Sequence, residues 1–481
     1  MNKIIIFCCC FILSCTKTVY VLAQNPIPDS LTQNSLQDTS SIKIIIGAIK
    51  IIGNKHTKAY IIAREIPFKA GDTLLQAILT TTFLQARNQV YNTNLFIEVN
   101  FDSIPQANGT LLVRVSVKER WYIFPTPQFQ LFDRSFNEWI KTYNADFNRV
   151  IYGVKFAHYN FSGRKDELKV YLLNGYARNI SASYSAPYSN SKLTEGFILA
   201  GGFTQNREVG YKLNYNNKFL NYTKPGFVRN NFNLAIGYSF RKRFFKTTSI
   251  SLGVNYTSID DSLLNVKYNP SFFNSTTSRQ FIPDVALNVR YSNTNNVNYP
   301  QKGLIYAYGI SKRGLKLKGG INNVTLSGSF SKFFTHKHNF YSIIQSSAIL
   351  KLPFEQAFIN RRALGFGNLY LRGQEVYIID GVAAAVAKYT FSKKVGGFKV
   401  TVPFKIKSVP YIPFKFFAKT FTDVGYSYLS KKYDSRLNNK FLYTGGFGLD
   451  IVTFYDIVIK LEYSFNQLVE KGLFLRGNGG F

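Results

Sequence analysis

From about residue 121 to Phe481 the chain alternates apolar and polar residues in segment after segment. Phe232, Leu234, Ile236, Tyr238 and Phe240 hold every second position of one segment. Ile250, Leu252, Val254 and Tyr256 do the same, as do Val285, Leu287, Val289 and Tyr291. Val324, Leu326 and Phe330 alternate with hydroxylated residues, and Ile457, Ile459, Leu461, Tyr463 and Phe465 enclose Lys460, Glu462 and Ser464. A period of two gives a β-strand one apolar face. Strands of about ten residues, repeated this often, point to a closed transmembrane β-barrel, because only a closed sheet satisfies every backbone group inside a bilayer. The expected fold is mostly β: a 16-stranded antiparallel transmembrane β-barrel over residues 121–481, preceded by a small α+β domain. Strands are expected to start near 122, 150, 166, 180, 196, 229, 247, 282, 302, 321, 338, 379, 412, 440, 456 and 472. The polar stretches 205–228, 258–281 and 352–378 read as long loops or lumen plugs, and Thr453–Asp456 as a short turn.

Composition agrees. Aromatic residues make up 16 % of the chain, mostly Phe and Tyr, as barrels with interfacial girdles require. Residues 1–23 read as a signal peptide: Lys3, an apolar stretch from Ile4 to Leu13, and small residues ending at Ala23. A competing reading is a lipoprotein signal acylated at Cys15. Cys8, Cys9, Cys10 and Cys15 all lie in this segment, which leaves the mature chain without a disulfide framework or thiolate metal site. No other run approaches the roughly 18 apolar residues of a membrane helix. The net charge of +33 suggests nucleic acid at first, but an exported barrel does not meet the chromosome. The charge fits rims facing lipopolysaccharide phosphates or a basic lumen, and fits compositional drift equally well.

Residues 24–42 are polar and aperiodic, a disordered linker. Residues 43–120 carry a β-α-α-β-β pattern: a strand through Ile49 and Ile51 to Gly53-Asn54, a helix with Thr57 as candidate cap, a second helix from Leu74 to about Tyr91, and strands at Leu95–Val99 and Leu111–Lys118. With Arg64-Glu65 in the first helix and Val117-Lys118-Glu119 closing the last strand, the segment resembles a POTRA domain, the periplasmic polypeptide-transport-associated module.

No catalytic constellation is present in the sequence. His56, His158, His336 and His338 are scattered, the last two without an acidic neighbour, and the Asp260-Asp261 pair falls in a loop. There is no P-loop, no G-x-S-x-G elbow and no H-E-x-x-H, so no enzyme activity, cofactor or metal is expected.

Two short motifs remain. Leu371-Arg372-Gly373-Gln374 lies in the long loop before the twelfth strand, and Phe421-x-Asp423-x-Gly425 lies in the thirteenth. Together with the POTRA-like segment and the strand count, they resemble the outer-membrane barrel assembly family that includes BamA and TamA, also called the bacterial surface antigen family. The resemblance implies that Arg372 reaches Asp423 inside the barrel and anchors a plug loop. It also implies that the last strand, with Leu473, Leu475 and a terminal aromatic Phe481, is a barrel assembly signal beside a weak seam, with Gly477 and Gly479 loosening it. Departures are Leu371 and Gln374 in place of the family's V-R-G-F/Y residues, and a single POTRA unit.

The function so implied is non-enzymatic assembly or translocation of polypeptide at a Gram-negative outer membrane, with the POTRA domain in the periplasm. Expected partners are outer-membrane lipid and lipopolysaccharide, unfolded outer-membrane or secreted polypeptides, and accessory envelope proteins. The alternatives are a passive channel or structural barrel, or a dedicated exporter of one secreted partner.

Overall fold

The structure, a computed structural model, describes residues 42–478 apart from 134–138, 141–142, 317–319, 366–368, 402–410 and 431–432. The signal segment, the linker up to residue 41, Gly479 and Phe481 lie outside the described residues.

The first unit comprises β1 (Lys43–Ile52), α1 (Ala59–Ala63), β2 (Thr73–Leu75), α2 (Gln76–Tyr91), β3 (Phe96–Pro105) and β4 (Leu111–Glu119). Its sheet runs β2-β1-β4-β3, with β1 parallel to β4 and β3 antiparallel to β4. The alternation of Val113, Val115 and Val117 puts all three on the buried face, against Ile61 and Ile62 of α1 and Val90 of α2. Three details differ from the sequence expectation, the first being that α1 ends at Ala63, so that Arg64 and Glu65 lie beyond it rather than in it. The short strand β2, paired to the start of β1, is additional. Thr57 does not cap α1, whose N-cap is Lys58 without a side-chain bond. The Thr57 hydroxyl instead meets the Tyr122 hydroxyl at 3.0 Å and accepts from the Asn160 amide at 2.9 Å, so contacts beyond the domain override the local preference. Gly53 turns the chain out of β1 with φ +90°; a Cβ there would lie 2.0 Å from the Val117 carbonyl oxygen.

The second unit is a single sixteen-stranded sheet. Its strands are β5 (Ile123–Leu131), β6 (Val150–Tyr159), β7 (Glu167–Gly175), β8 (Ala177–Ala186) and β9 (Glu195–Asn206). A hairpin outside the main sheet follows, β10 (Glu208–Leu213) and β11 (Phe219–Thr223). The sheet continues with β12 (Arg229–Phe240), β13 (Lys246–Ile259), β14 (Arg279–Thr294), β15 (Gly303–Arg313), β16 (Asn323–Thr335) and β17 (Phe340–Leu352). A second small hairpin, β18 (Arg362–Leu364) and β19 (Ile379–Asp380), belongs to the longest loop. The sheet ends with β20 (Ala383–Thr401), β21 (Tyr411–Tyr428), β22 (Phe441–Val452), β23 (Val458–Asn466) and β24 (Lys471–Asn478). Every strand pairs antiparallel with its neighbour in the sheet, and the strand count and starts follow the sequence alternation closely.

Register sorts the two faces. Leu234 pairs with Val254, Ile236 with Leu252, and Leu252 in turn with Val285, so the apolar positions form continuous rows around the sheet. Leu234 and Ile236 are 51 % and 50 % exposed, and a belt of such residues far exceeds the apolar patch that a water-soluble surface tolerates. The other face of the same strands carries Asn233, Ala235, Gly237, Ser249 and Ser251, small and polar as a lumen wall requires.

The two ends of the barrel are built differently. At the end remote from the POTRA unit, loops 207–228, 260–278 and 353–382 share a packed apolar cluster that includes Val209, Leu263, Phe272, Phe273 and Phe358. The backbone joins them too: Phe358 N–H donates to Ser271 O at 3.1 Å, and Ile378 N–H to Asn217 O at 2.9 Å. At the other end the turns between strands meet the POTRA unit.

Candidate functional site

The loop between β17 and β20 brings its tip to the inner face of β21. Asp423 faces inward at the middle of β21, between Lys388 of β20 and Thr444 of β22 in register, and its solvent exposure is zero. Arg372 closes on it. Its backbone N–H donates to Asp423 Oδ2 at 2.9 Å, Nε lies 3.1 and 3.0 Å from the two carboxylate oxygens, and Nη2 donates to Oδ1. The remaining donors are used as well: Nη1 to Thr390 Oγ1 at 2.9 Å and Nη2 to Tyr389 O at 3.2 Å. The guanidinium lies 4.0 Å from the centre of the Phe421 ring. A planar, five-donor cation with both carboxylate oxygens and an aromatic face available is held far more firmly than an ammonium would be.

The flanking residues fix the tip. Gly373 takes φ +82°, and a Cβ there would press to 2.7 Å from Ser464 Cβ of β23. Gly425 leaves room for Leu371, which is fully buried; a Cβ at 425 would lie 3.0 Å from Leu371 Cδ1. Gln374 is buried too, its amide reaching Gln467 at 3.2 Å, while the Tyr377 hydroxyl donates to Glu470 at 2.6 Å. Beside the tip, β21 to β24 present a charged inner face. Lys419 bridges Asp450 and Glu462, the latter at 2.7 Å, and Arg476 pairs with Glu375 of the loop. Lone charges would be costly there; a network with alternating signs is tolerated.

A second set of contacts fastens the POTRA unit across the barrel mouth. Glu65, just beyond α1, is 1 % exposed and accepts from the Tyr188 hydroxyl at 2.7 Å and from Arg241 at 2.6 and 2.8 Å, both in turns of the barrel. Arg64 donates to Leu193 O and Arg241 O, each at 2.8 Å. Burial pushes the Glu65 carboxyl up, but the Arg241 guanidinium outweighs it and holds the group below its ordinary range. Further round the mouth, the Tyr91 hydroxyl of α2 donates to Asp456 at 2.8 Å, and Arg120 lies 3.5 Å from the same carboxylate. Asn92 reaches Thr294 O at 2.8 Å, and Asn298 donates to Asn94 at 3.0 Å. Glu119 accepts from the backbone N–H groups of His56 and Thr57 at 3.1 and 2.7 Å, and Asn54 donates to Thr57 O at 3.0 Å, so this end of the unit is braced from within.

The third element is the seam between first and last strands. Among the described residues, no ladder joins β5 to β24. Tyr159 N–H donates to Tyr122 O at 2.8 Å, and Phe132 N–H to Arg149 O at 3.1 Å, so the even-numbered positions of β5 bond to β6. The odd positions therefore direct their backbone groups at the seam. Pro125 and Pro127 stand at two of them and supply no N–H. On β24, Leu473 and Leu475 lie on the outer face, 63 % and 71 % exposed.

The family model for POTRA, described as surface antigen variable number repeat, matches residues 44–120. Among solved structures, CdiB from Escherichia coli gives a TM-score of 0.52 at 12 % identity, over 90 % of this chain and 76 % of that one. BamA from Haemophilus ducreyi lacking POTRA domains 1–3 gives 0.49 at 14 % identity over 90 % and 84 %. CdiB from Acinetobacter baumannii gives 0.46 at 12 % identity over 90 % and 73 %. At such identities the likeness is one of fold alone, and the Escherichia coli CdiB match carries it. Residues 44–120 are a POTRA domain by that family model, and the chain as a whole shares its fold with these barrels. No curated protein matches the chain.

Of the residues that the sequence motifs named, the structure brings Arg372 of the long loop against Asp423 of β21. The motifs did not name the Lys419–Asp450–Glu462 cluster, whose members alternate with apolar residues like any other lumen position. Nor did they reveal that Arg64-Glu65 reaches out of the POTRA domain to Tyr188 and Arg241. Of the histidines, His56 bonds to Asn160 O at 2.7 Å and His336 to Ser342 at 2.7 Å. Asp260, in its loop, accepts from Lys224 and from the Tyr222 hydroxyl. Among the described residues, no group of three His, Cys, Asp or Glu side chains could hold a metal.

Proposed function

We propose that this protein assembles or translocates polypeptide at a Gram-negative outer membrane, without catalysing a chemical reaction. The observation that carries the reading is the POTRA unit pinned across one mouth of a barrel that its own loop occupies. A solute pore needs a clear lumen; a plug anchored at Arg372–Asp423 and loops packed together at the far end do not favour one. In this reading the POTRA domain lies in the periplasm. The outer strand of its sheet, β3, receives an extended segment by β-augmentation, with main-chain bonds giving affinity independent of sequence. The lumen or the seam then passes or templates the segment. The Arg372–Asp423 pair holds the plug until a client displaces it, and the apolar belt meets lipid and lipopolysaccharide.

Depletion of the protein in its native cell, followed by quantitative proteomics of the outer membrane, tests the proposal. Loss of many barrel proteins, with their unfolded precursors held in the periplasm, supports general assembly. Loss of one or two surface proteins supports dedicated export. An unchanged outer-membrane proteome, together with a large steady conductance of the purified protein in planar bilayers, would make it a passive channel and sink the reading.

A further inference from the structure

Between α2 of the POTRA domain and the rim of the barrel lies a cavity of about 1140 Å³. One wall is α2, through Leu84, Arg87, Asn88 and Tyr91; the others come from the ends of β13 to β16, β21 and β22 and the turns beside them. Small-molecule pockets run to about 300–1,000 Å³, so this space exceeds what a compact ligand fills. Its charge is one-sided. Arg290 of β14, Lys302 before β15 and Lys415 of β21 contribute to the lining and are exposed. Among the described residues, no carboxylate lies within salt-bridge distance of these three. The cavity's two acidic residues are already engaged: Glu65 with Arg241, and Asp456 with Arg120 and Tyr91.

A second observation is independent of charge. Gln89 of α2 and Thr294 of β14, 7 % and 6 % exposed, both line the cavity. Among the described residues, the Gln89 amide nitrogen and oxygen and the Thr294 hydroxyl have no hydrogen-bond partner. Buried polar atoms without partners are costly, and an amide that offers both a donor and an acceptor is matched by a peptide group, which offers both in return. The aromatic rings of Phe244, Phe245 and Tyr299, also in the lining, give side chains an apolar surface.

We propose that this chamber binds an extended, acidic stretch of polypeptide on its way between the POTRA domain and the barrel. The proposal rests on the polypeptide-handling reading above and names the chemistry that the reading leaves open. Carboxylates of the segment meet Arg290, Lys302 and Lys415, and its backbone reaches Gln89 and Thr294 once a small shift of that wall uncovers their buried polar atoms. Low-dielectric walls on both sides focus the field of these cations on whatever enters. Lys165 also lines the chamber; burial, and Arg241 beside it, push its amine down to about 8, which leaves it largely charged near neutral pH as a further cation for a carboxylate.

The test uses the full chain in nanodiscs of zwitterionic lipid and three labelled unstructured peptides of equal length, one rich in Glu, one in Lys and one neutral. Fluorescence anisotropy gives the affinities. For the triple variant Arg290→Gln, Lys302→Gln, Lys415→Gln, the Glu-rich peptide should bind at least about tenfold more weakly, a loss of about 1.4 kcal/mol, while the neutral peptide is unaffected. The double reversal Arg290→Glu, Lys415→Glu should shift preference to the Lys-rich peptide; electrophoretic heat-modifiability checks that each variant is folded. Equal binding of Glu-rich and neutral peptides, unaltered by either variant, overturns the chamber proposal and leaves polypeptide handling standing. Displacement of the Glu-rich peptide by inorganic phosphate or by anionic-lipid vesicles, with no effect of the neutral peptide, overturns it in favour of a headgroup site. Failure of all three peptides to bind overturns both.

Discussion

Replacing Arg372 by alanine removes the cation that the long loop sets on Asp423. In the intact protein the guanidinium supplies three contacts to the carboxylate, two to Thr390 and Tyr389, and a stacked face on Phe421. After Arg372→Ala, the buried Asp423 keeps the backbone N–H of residue 372 at 2.9 Å and the field of its register neighbour Lys388. Stripping one partner from a buried ion pair costs about 3–5 kcal/mol. Lys388 argues for the lower end, about 3 kcal/mol, which is about a hundredfold in the equilibrium between docked and released loop. Tryptic cleavage after Arg361 and Arg362 of the loop reports that equilibrium when reclosing outruns cleavage. The variant in liposomes should be cut about a hundredfold faster than the parent, while the heat-modifiable mobility of the barrel is retained. The double variant Arg372→Met, Asp423→Leu should recover part of the loss, because it leaves no buried charge behind. Cleavage within about threefold of the parent rate, a difference well under 1 kcal/mol, would refute the argument that this pair anchors the loop.

Other sites give sharper local tests. Gly373→Ala forces a Cβ to 2.7 Å from Ser464 at φ +82°, so loop release should rise by about 1–2 kcal/mol without loss of the barrel, again read by proteolysis. The Glu65 carboxyl is held below its ordinary 4.5, so the stability it gives the POTRA junction is complete above that value and is lost as pH falls through the lower folded-state value. Domain docking followed by spin-label distances should therefore weaken only in acid, and Glu65→Gln should be weakened already at neutral pH and lose that acid dependence. Pro125→Thr with Pro127→Thr returns two N–H donors to the seam edge of β5. Two added bonds of about 1 kcal/mol each should slow hydrogen exchange of the β24 amides roughly tenfold or more; unchanged exchange would show that the prolines do not limit the seam.

The sequence by itself determined which face of each strand meets lipid. Side-chain direction in a strand has a period of two, so Phe232, Leu234 and Ile236 had to share one face whatever they paired with. Sixteen such segments, with turn residues between them, left no other architecture that satisfies the backbone in a bilayer. The order of helices and strands in residues 43–120 was legible for the same reason: the period switches from 2 to 3.6 and back. The short strand β2 escaped because Thr73–Leu75 has no period of its own and forms only against β1.

Tertiary structure decided which polar residues meet. An inward position can be Ser, Asn, Lys or Asp with equal claim, and alternation does not say which residue lies opposite; register and loop path do. Arg372 and Asp423 stand 51 positions apart, Glu65 and Arg241 stand 176 apart, and Tyr91 and Asp456 stand 365 apart. No local propensity links such pairs. The charge on Lys419 looks like an ordinary lumen charge until Asp450 and Glu462 arrive from the two following strands. The chamber beneath the barrel belongs wholly to this level, since α2, β14 and β21 border one space only after the POTRA domain is seated on the turns of the sheet. Hydrophobic burial acts on each residue separately and is therefore written in the sequence, whereas ion pairs and cavities are properties of distances that the closed chain alone sets.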